Sequence, residues 1–274
     1  MRAVTRTAVP AACWQALGAD VALADLGDRQ ALATAFADVD GVFVMTPPYT
    51  EAPDLFAAHN IAIENLCAAV TAADVPYVVL LSSIGAQHSS GLGAIKKNRD
   101  LEQALDALSV PTVALRAGWF MENYRGQIRA ARESGVLPSM LDPLDLTVPM
   151  VATDDVGQIA ADVLQREPNG KYVVEVAHLR AYSTNDVARS MTSIVGRPVT
   201  AVVIPRDQRV GVYRSWGLSD GSARAMSAMI DGFNSGWIGF EGGAVEREYT
   251  LTPLEISLQR LAEAELATTS KATF

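Results

Sequence analysis

A tyrosine followed four residues later by a lysine lets the ammonium lower the phenol pKa for proton transfer. None of the seven tyrosines has a lysine at that offset, and none lies between Tyr77 and Tyr124. Proton relay of that kind is excluded. Cys13 and Cys67 are the only cysteines; two make neither a disulfide framework nor a metal cluster, and both read as small buried hydrophobes. His88 and His178 lack ligand spacing, so no metal is expected. His59 stands near the start of an Ala-rich helix, where it would reach a phosphate or, as the plainer expectation, sit at the surface. Ser82-Ser83 end one apolar run; Trp119, Phe120, Asn123 and Tyr124 follow another. An aromatic cluster is core packing by default.

These residues depend on elements to position them. Strand-like apolar runs occupy residues 1–6, 20–25, 41–46, 75–81 and 111–116, separated by helical patterns at 10–17, 29–36, 57–73 and 101–108. Pro47-Pro48 stop the third run, because proline cannot donate to a ladder. The fourth run is near-continuously apolar, as a strand covered on both faces must be. This alternation predicts an α/β fold with a doubly wound parallel sheet. Ligands in such sheets sit beyond the carboxyl ends of the strands. That rule brings forward Arg6, Asp25, Thr46 with Pro47, Ser82-Ser83, and Gly118 with Trp119, each of which also suits an ordinary turn.

Beyond Tyr124 the pattern changes. Helices are expected at 128–133, 154–164 and 184–195, with Asp154 as the N-cap of the second. Strands are expected at 172–176 and 200–204, and the remainder reads as helix and loop, with five glycines crowded between Gly232 and Gly243. Residues 1–124 are expected to form the core. Residues 125–274 are expected to form a smaller α+β lobe, interleaved with that core and covering a substrate.

The 274 residues are 49% apolar, and 22 basic against 31 acidic residues leave a net charge of −9. That length buries a sizeable core, and the composition excludes disorder and fibrous classes. The acidic balance argues against nucleic acid, whose phosphates need clustered Lys and Arg. No apolar run was expected to reach the ~18 residues of a bilayer span, and the first residues lack a signal-peptide core. The expectation is a cytoplasmic protein with no membrane partner.

A dinucleotide-binding fold normally opens with a strand, a Gly-rich turn and a helix whose N-terminus holds the pyrophosphate. The sequence opens with neither G-x-G-x-x-G nor G-x-x-G-x-x-G, and Gly91 and Gly93 have no phosphate-turn spacing. One strand–helix unit of roughly 30 residues reads as missing, or the phosphate grip as lost.

Several segments, in order, resemble the NmrA-like family of atypical short-chain dehydrogenases. Val4-Thr5-Arg6 resembles the end of that family's second strand, Ala24-Asp25-Leu26 its adenine-side turn, and residues 42–48 its fourth strand and the loop crossing the cofactor. Residues 79–85 resemble its V-x-L-S-S-x-G strand end. The most specific match runs from Leu115 to Tyr124, similar to L-R-x-G-x-F-x-E-N. Pro149-Met150-Val151-Ala152 with Asp154-Asp155-Val156-Gly157, and Tyr182-Ser183 with Asp186-Val187-Ala188, resemble two further signatures. The resemblance implies a Rossmann-like fold, N-terminally truncated so that the first strand and Gly-rich helix are lacking.

It also implies roles. Arg6 would pair with a ribose 2′-phosphate through its planar fork, favouring NADP(H) over NAD(H) on that residue alone; a solvated strand-end charge is an equal reading. Asp25 and Leu26 would face the adenine side, Thr46, Pro47 and Pro48 would form a rigid cofactor-facing loop, and Ser82 and Ser83 would lie near the nicotinamide ribose. Phe120 and Asn123 would complete the cofactor wall, with Trp119 and Tyr124 against the substrate. The family often places a Lys or His four residues before the position of Glu102. Here that position is Asn98, with Lys97 beside it, and one residue moves a side chain about 100° round a helix. Lys97 and Asn98 are the two catalytic candidates, although Lys97 reads first as a solvated helix-start charge.

The function implied is an NAD(P)H-dependent reductase of the quinone- or azo-reducing kind, passing hydride directly to a small-molecule acceptor. The alternatives are a dinucleotide-binding redox sensor acting through a protein partner, toward which Asn98 leans, and an inactive truncated homologue. Oligomeric state is left open.

Overall fold

The structure is a computed structural model that describes residues 1–167 and 169–271. The first half alternates β1 (Arg2–Thr5), α1 (Ala8–Ala16), β2 (Asp20–Leu23), α2 (Arg29–Phe36), β3 (Val42–Val44), α3 (Leu55–Ala72), β4 (Val78–Ser83), α4 (Lys96–Asp106) and β5 (Thr112–Ala117). There follow β6 (Trp119–Phe120), a 3-10 segment Met121–Gln127, α5 (Ile128–Ser134), β7 (Val136–Ser139), β8 (Met150–Val151), α6 (Thr153–Gln165) and β9 (Lys171–His178). The chain continues through α7 (Thr184–Val195), β10 (Thr200–Val203), α8 (Arg206–Ser215), α9 (Asp220–Asn234), β11 (Glu246–Thr250) and α10 (Leu254–Lys271).

The α/β architecture is the expected one, with every strand ladder parallel. The main sheet has the order β11-β9-β5-β4-β3, while β1 and β2 pair separately. Among the described residues no ladder joins β1 to β3. One apolar core unites them instead. Ala24, Leu32 and Phe36 pack with Val42, Val44, Ile63 and Leu66, each large side chain stabilising by about 1.5–3 kcal/mol on burial. Arg2 donates to the Ala35 and Ala37 carbonyls at 3.0 and 2.8 Å, tying β1 to α2.

Residues 246–250 were not read as a strand, yet β11 extends the main sheet beside β9. Its pattern is partly buried and polar, the mark of an edge strand rather than a central one. Both β9 and β11 come from the second half, so the core sheet is completed by residues beyond Tyr124. Two small sheets flank it, β6-β8 and β7-β10, and a second core joins Ile84, Ile95 and Met121 to Ile128, Leu137, Met191 and Leu258 of the second half.

Two further expectations are corrected. Asp154 does not cap α6; the helix starts at Thr153, and the Glu122 carboxylate accepts from the Thr153 amide at 3.0 Å. A carboxylate from a neighbouring element does the capping, leaving Asp154 to pair with Arg260. Helix α3 is, by length and composition, long and apolar enough to cross a membrane. It buries Leu55, His59, Ala62, Ile63, Asn65, Leu66, Ala69 and Val70, which makes it a core helix covering the sheet.

Candidate functional site

Ser82 and Ser83 are the last residues of β4, and Ala117 ends β5 beside them in register with Ser83. Beyond these ends lies a cavity of about 570 Å³. Gly118 lets the chain turn there: a Cβ on it would stand 2.6 Å from the Pro149 carbonyl oxygen. The turn directs Trp119 and Phe120 into β6 and along the cavity wall, with the Trp119 ring meeting Phe233 edge-on at 5.3 Å between centroids.

Most of the expected site residues meet in this cavity. Thr46 and Pro48 line it from the loop after β3, Ser82 and Ser83 from β4, and Lys97 and Asn98 from the first turn of α4. Trp119, Phe120, Asn123 and Tyr124 complete that side. Helix α4 starts five residues earlier than expected, which carries both Lys97 and Asn98 to the wall. The expectation of a solvated Lys97 is therefore wrong. Among the described residues it has no ion-pair partner, and burial alone lowers its pKa to about 8. Among the described residues it is the only charged one on the wall.

Four expected residues lie elsewhere. Arg6 and Asp25 are exposed at the ends of β1 and β2. Asp25 Oδ1 accepts from the Gly27 amide at 2.7 Å, and the Leu26 carbonyl accepts from Asn65 Nδ2 at 2.9 Å, both of them turn-fixing contacts. Pro47 is half-buried and off the wall. Arg6 and Asp25 nevertheless come near Tyr49, whose pKa is raised by burial first, then by Asp25, with Arg6 opposing. The loop carrying Tyr49 thus runs from these strand ends to the cavity.

His59 is buried at 1% exposure, not at the surface. Its ring meets Tyr49 edge-on at 5.0 Å, and among the described residues neither ring nitrogen makes a hydrogen bond of good geometry, the Pro48 carbonyl being only a loose neighbour. Burial, then the Lys97 charge, lowers its pKa to about 4, against smaller upward pulls from the Pro48 carbonyl and Asp100. The cysteines correct the expectation too: Cys13 is exposed and Cys67 half-buried. Tyr124 is deeply buried, which pushes its hydroxyl above the usual range against a downward pull from Thr184. It is no acid at neutral pH.

The second half supplies walls that sequence reasoning missed: Met140, Tyr213, Trp216, Met226, Met229 and Phe233. The last three recur at helical spacing along α9, which marks a buried face but cannot tell a core from a cavity. The arrangement suits a flat apolar body among aromatic rings and thioethers, with the Lys97 ammonium, the Ser82 and Ser83 hydroxyls and the Asn98 and Asn123 amides among the polar groups on its wall.

Comparison with known proteins agrees with this geometry. An NAD(P)H azoreductase of Xenophilus azovorans is 26% identical over 228 residues, spanning 83% of this chain and 77% of the relative. Quinone oxidoreductase 2 of Escherichia coli is 26% identical over 234 residues, 85% and 79% respectively. Among solved structures, the Citrobacter triphenylmethane reductase complexed with NADP(H) superposes with a TM-score of 0.77 at 18% identity, covering 95% of this chain and 90% of its own. The Escherichia coli NADPH-dependent quinone oxidoreductase complexed with NADPH gives 0.72 at 24%, covering 95% and 89%. The sequence profile of the NmrA-like family matches residues 1–238, and the chain belongs to that family.

Proposed function

We propose that this protein is an NAD(P)H-dependent reductase that passes hydride to a flat, apolar small-molecule acceptor, of the class that includes quinones and azo compounds. The observation that carries the reading is the cavity at the ends of β4 and β5, walled by rings and methionines and lined by the Lys97 ammonium, which has no ion-pair partner among the described residues. The azoreductase and quinone oxidoreductase relatives support it. A sensor needs only to bind a dinucleotide; a covered cavity of about 570 Å³ beside the strand ends favours turnover.

The residues present fit the two ends of the dinucleotide. Arg6, with no ion-pair partner among the described residues, would hold a 2′-phosphate and favour NADP(H), and Asp25 with the Tyr49 loop would border the adenosine. Ser82, Ser83 and Asn123 would border the nicotinamide end. A Gly-rich strand–helix turn for the pyrophosphate is absent among the described residues. When bound, the reduced nicotinamide supplies a hydride. Trp119, Phe120, Tyr213 and Met229 would orient the acceptor against it and exclude water. Two electrons arriving on a conjugated acceptor leave an anion on its oxygen or nitrogen, and Lys97 Nζ donates the proton that neutralises it.

The test is NADPH oxidation by the purified chain offered a benzoquinone or an azo dye, followed at the nicotinamide absorbance. Acceptor-dependent oxidation is expected. Tight NADPH binding with no oxidation by any acceptor would shift the reading to the sensor.

A further inference from the structure

The cavity wall at the end of β4 belongs to a polar chain that hydride transfer does not use. Ser82, Arg116, Glu175 and Arg247 are in register across β4, β5, β9 and β11, so their side chains share one face of the sheet. Arg116, 6% exposed, donates to Glu102 of α4 through two nitrogens, at 3.0 and 2.9 Å. A third contact from Arg116 reaches Glu241, in the loop before β11, at 2.6 Å. The Glu241 amide donates to Glu175, which also accepts from Arg247.

One end of this chain is the cavity wall. The Ser82 hydroxyl donates its hydrogen to Glu102 Oε1, and the neighbouring Ser83 hydroxyl donates to the Ile84 carbonyl at 3.2 Å. A hydroxyl has one hydrogen and two lone pairs, so both serines on the wall are left able only to accept. Arg116 grips both Glu102 oxygens, and a bidentate pair fixes orientation as well as distance. The carboxylate therefore cannot rotate and release Ser82.

We infer that Glu102 and Arg116 are positioning residues that keep Ser82 an acceptor-only group, so that the cavity wall selects a ligand presenting an amide N–H or a hydroxyl to it. The assignment rests on the reductase reading, in which the nicotinamide carboxamide or its ribose supplies that donor. Glu241 links the same chain to the second half of the protein, so the loop before β11 and the wall are held by one guanidinium.

NADPH titration followed by tryptophan fluorescence tests this, with Trp119 on the wall as reporter. Ser82→Ala should weaken binding about fivefold, the loss of one neutral hydrogen bond. Glu102→Gln should weaken it in the same direction, because the amide can turn its nitrogen toward the serine. The pair Glu102→Leu with Arg116→Met removes the lock without leaving a buried lone charge, and thermal denaturation checks that it folds. It too should weaken binding, and adding Ser82→Ala to it should leave affinity at the Ser82→Ala level. Full affinity in the lock variants, or losses that simply add to that of Ser82→Ala, would overturn the assignment alone. Wild-type protein that binds no NADPH would overturn the reductase reading along with it.

Discussion

Lys97 and His59 are neighbours whose ionisation burial has moved in the same direction, each away from its charged form. For Lys97 this matters to rate. The ammonium is the proton donor, so turnover with a quinone should fall as pH rises through about 8. Lys97→Met should lower kcat at pH 7 by about 10²-fold or more, the usual worth of a general acid, and should abolish that alkaline limb. For His59 the consequence is stability. Between pH 6.5 and about 4 the unfolded chain takes up a proton on this ring that the folded chain does not. Stability from this residue is thus present above that window and lost as pH falls through it. His59→Gln should flatten the acid side of a Tm-versus-pH curve. An unchanged curve would mean that the ring is not held neutral. Neither position was legible from residue type: a lone lysine at a helix start and a lone histidine in an Ala-rich helix both look solvated until the packing of α3 on α4 buries them.

At the scale of elements, α4 is placed by helices far away in sequence. The 3-10 turn Gly93–Ile95 leads into it, and Gly93 has φ of +52° with α9 pressed against it. A Cβ there would lie 2.2 Å from the Met229 amide nitrogen and 2.3 Å from the Ala225 carbonyl oxygen. Backbone cannot yield as a side-chain tip does, so Gly93→Ala should cost about 2–4 kcal/mol and shift Lys97 on the wall. A lowered Tm together with a raised acceptor KM would show both effects. Glu122, which accepts from the first amide of α6, should behave as a cap supplied from outside the helix: Glu122→Ala should cost about 1 kcal/mol, read as a lower denaturation midpoint. The strand runs were readable because continuous apolarity reports two-sided cover. The cap and the α9 contact were not, since each joins residues that no local pattern relates.

For the whole molecule, the parallel sheet directs its strand ends to one side, and the second half closes over them with α8 and α9. Binding a dinucleotide across those ends should stabilise the fold by mass action. At NADPH a hundred times its Kd the gain is about 2.7 kcal/mol, or roughly 5 °C in Tm for a chain of this size. Arg6→Ala should reduce that shift for NADPH and leave it unchanged for NADH, which has no 2′-phosphate. Equal loss with both dinucleotides would remove Arg6 from the site.

By itself the sequence determined the α/β class, the alternation of the first five strands with helices along the chain, and the strand-end residues that could face a ligand. Local propensity and the period of apolar residues carry that information along the chain. Only the tertiary structure decided that β1 and β2 pair apart from the main sheet, that β11 completes its far edge, and that Arg116 reaches Glu102 and Glu241. It also decided that Lys97, with no ion-pair partner among the described residues, lines a largely apolar cavity. These outcomes depend on the desolvation and packing of groups brought together from distant parts of the chain, and burial, not residue identity, sets which charge stays unpaired and which hydrogen is already committed.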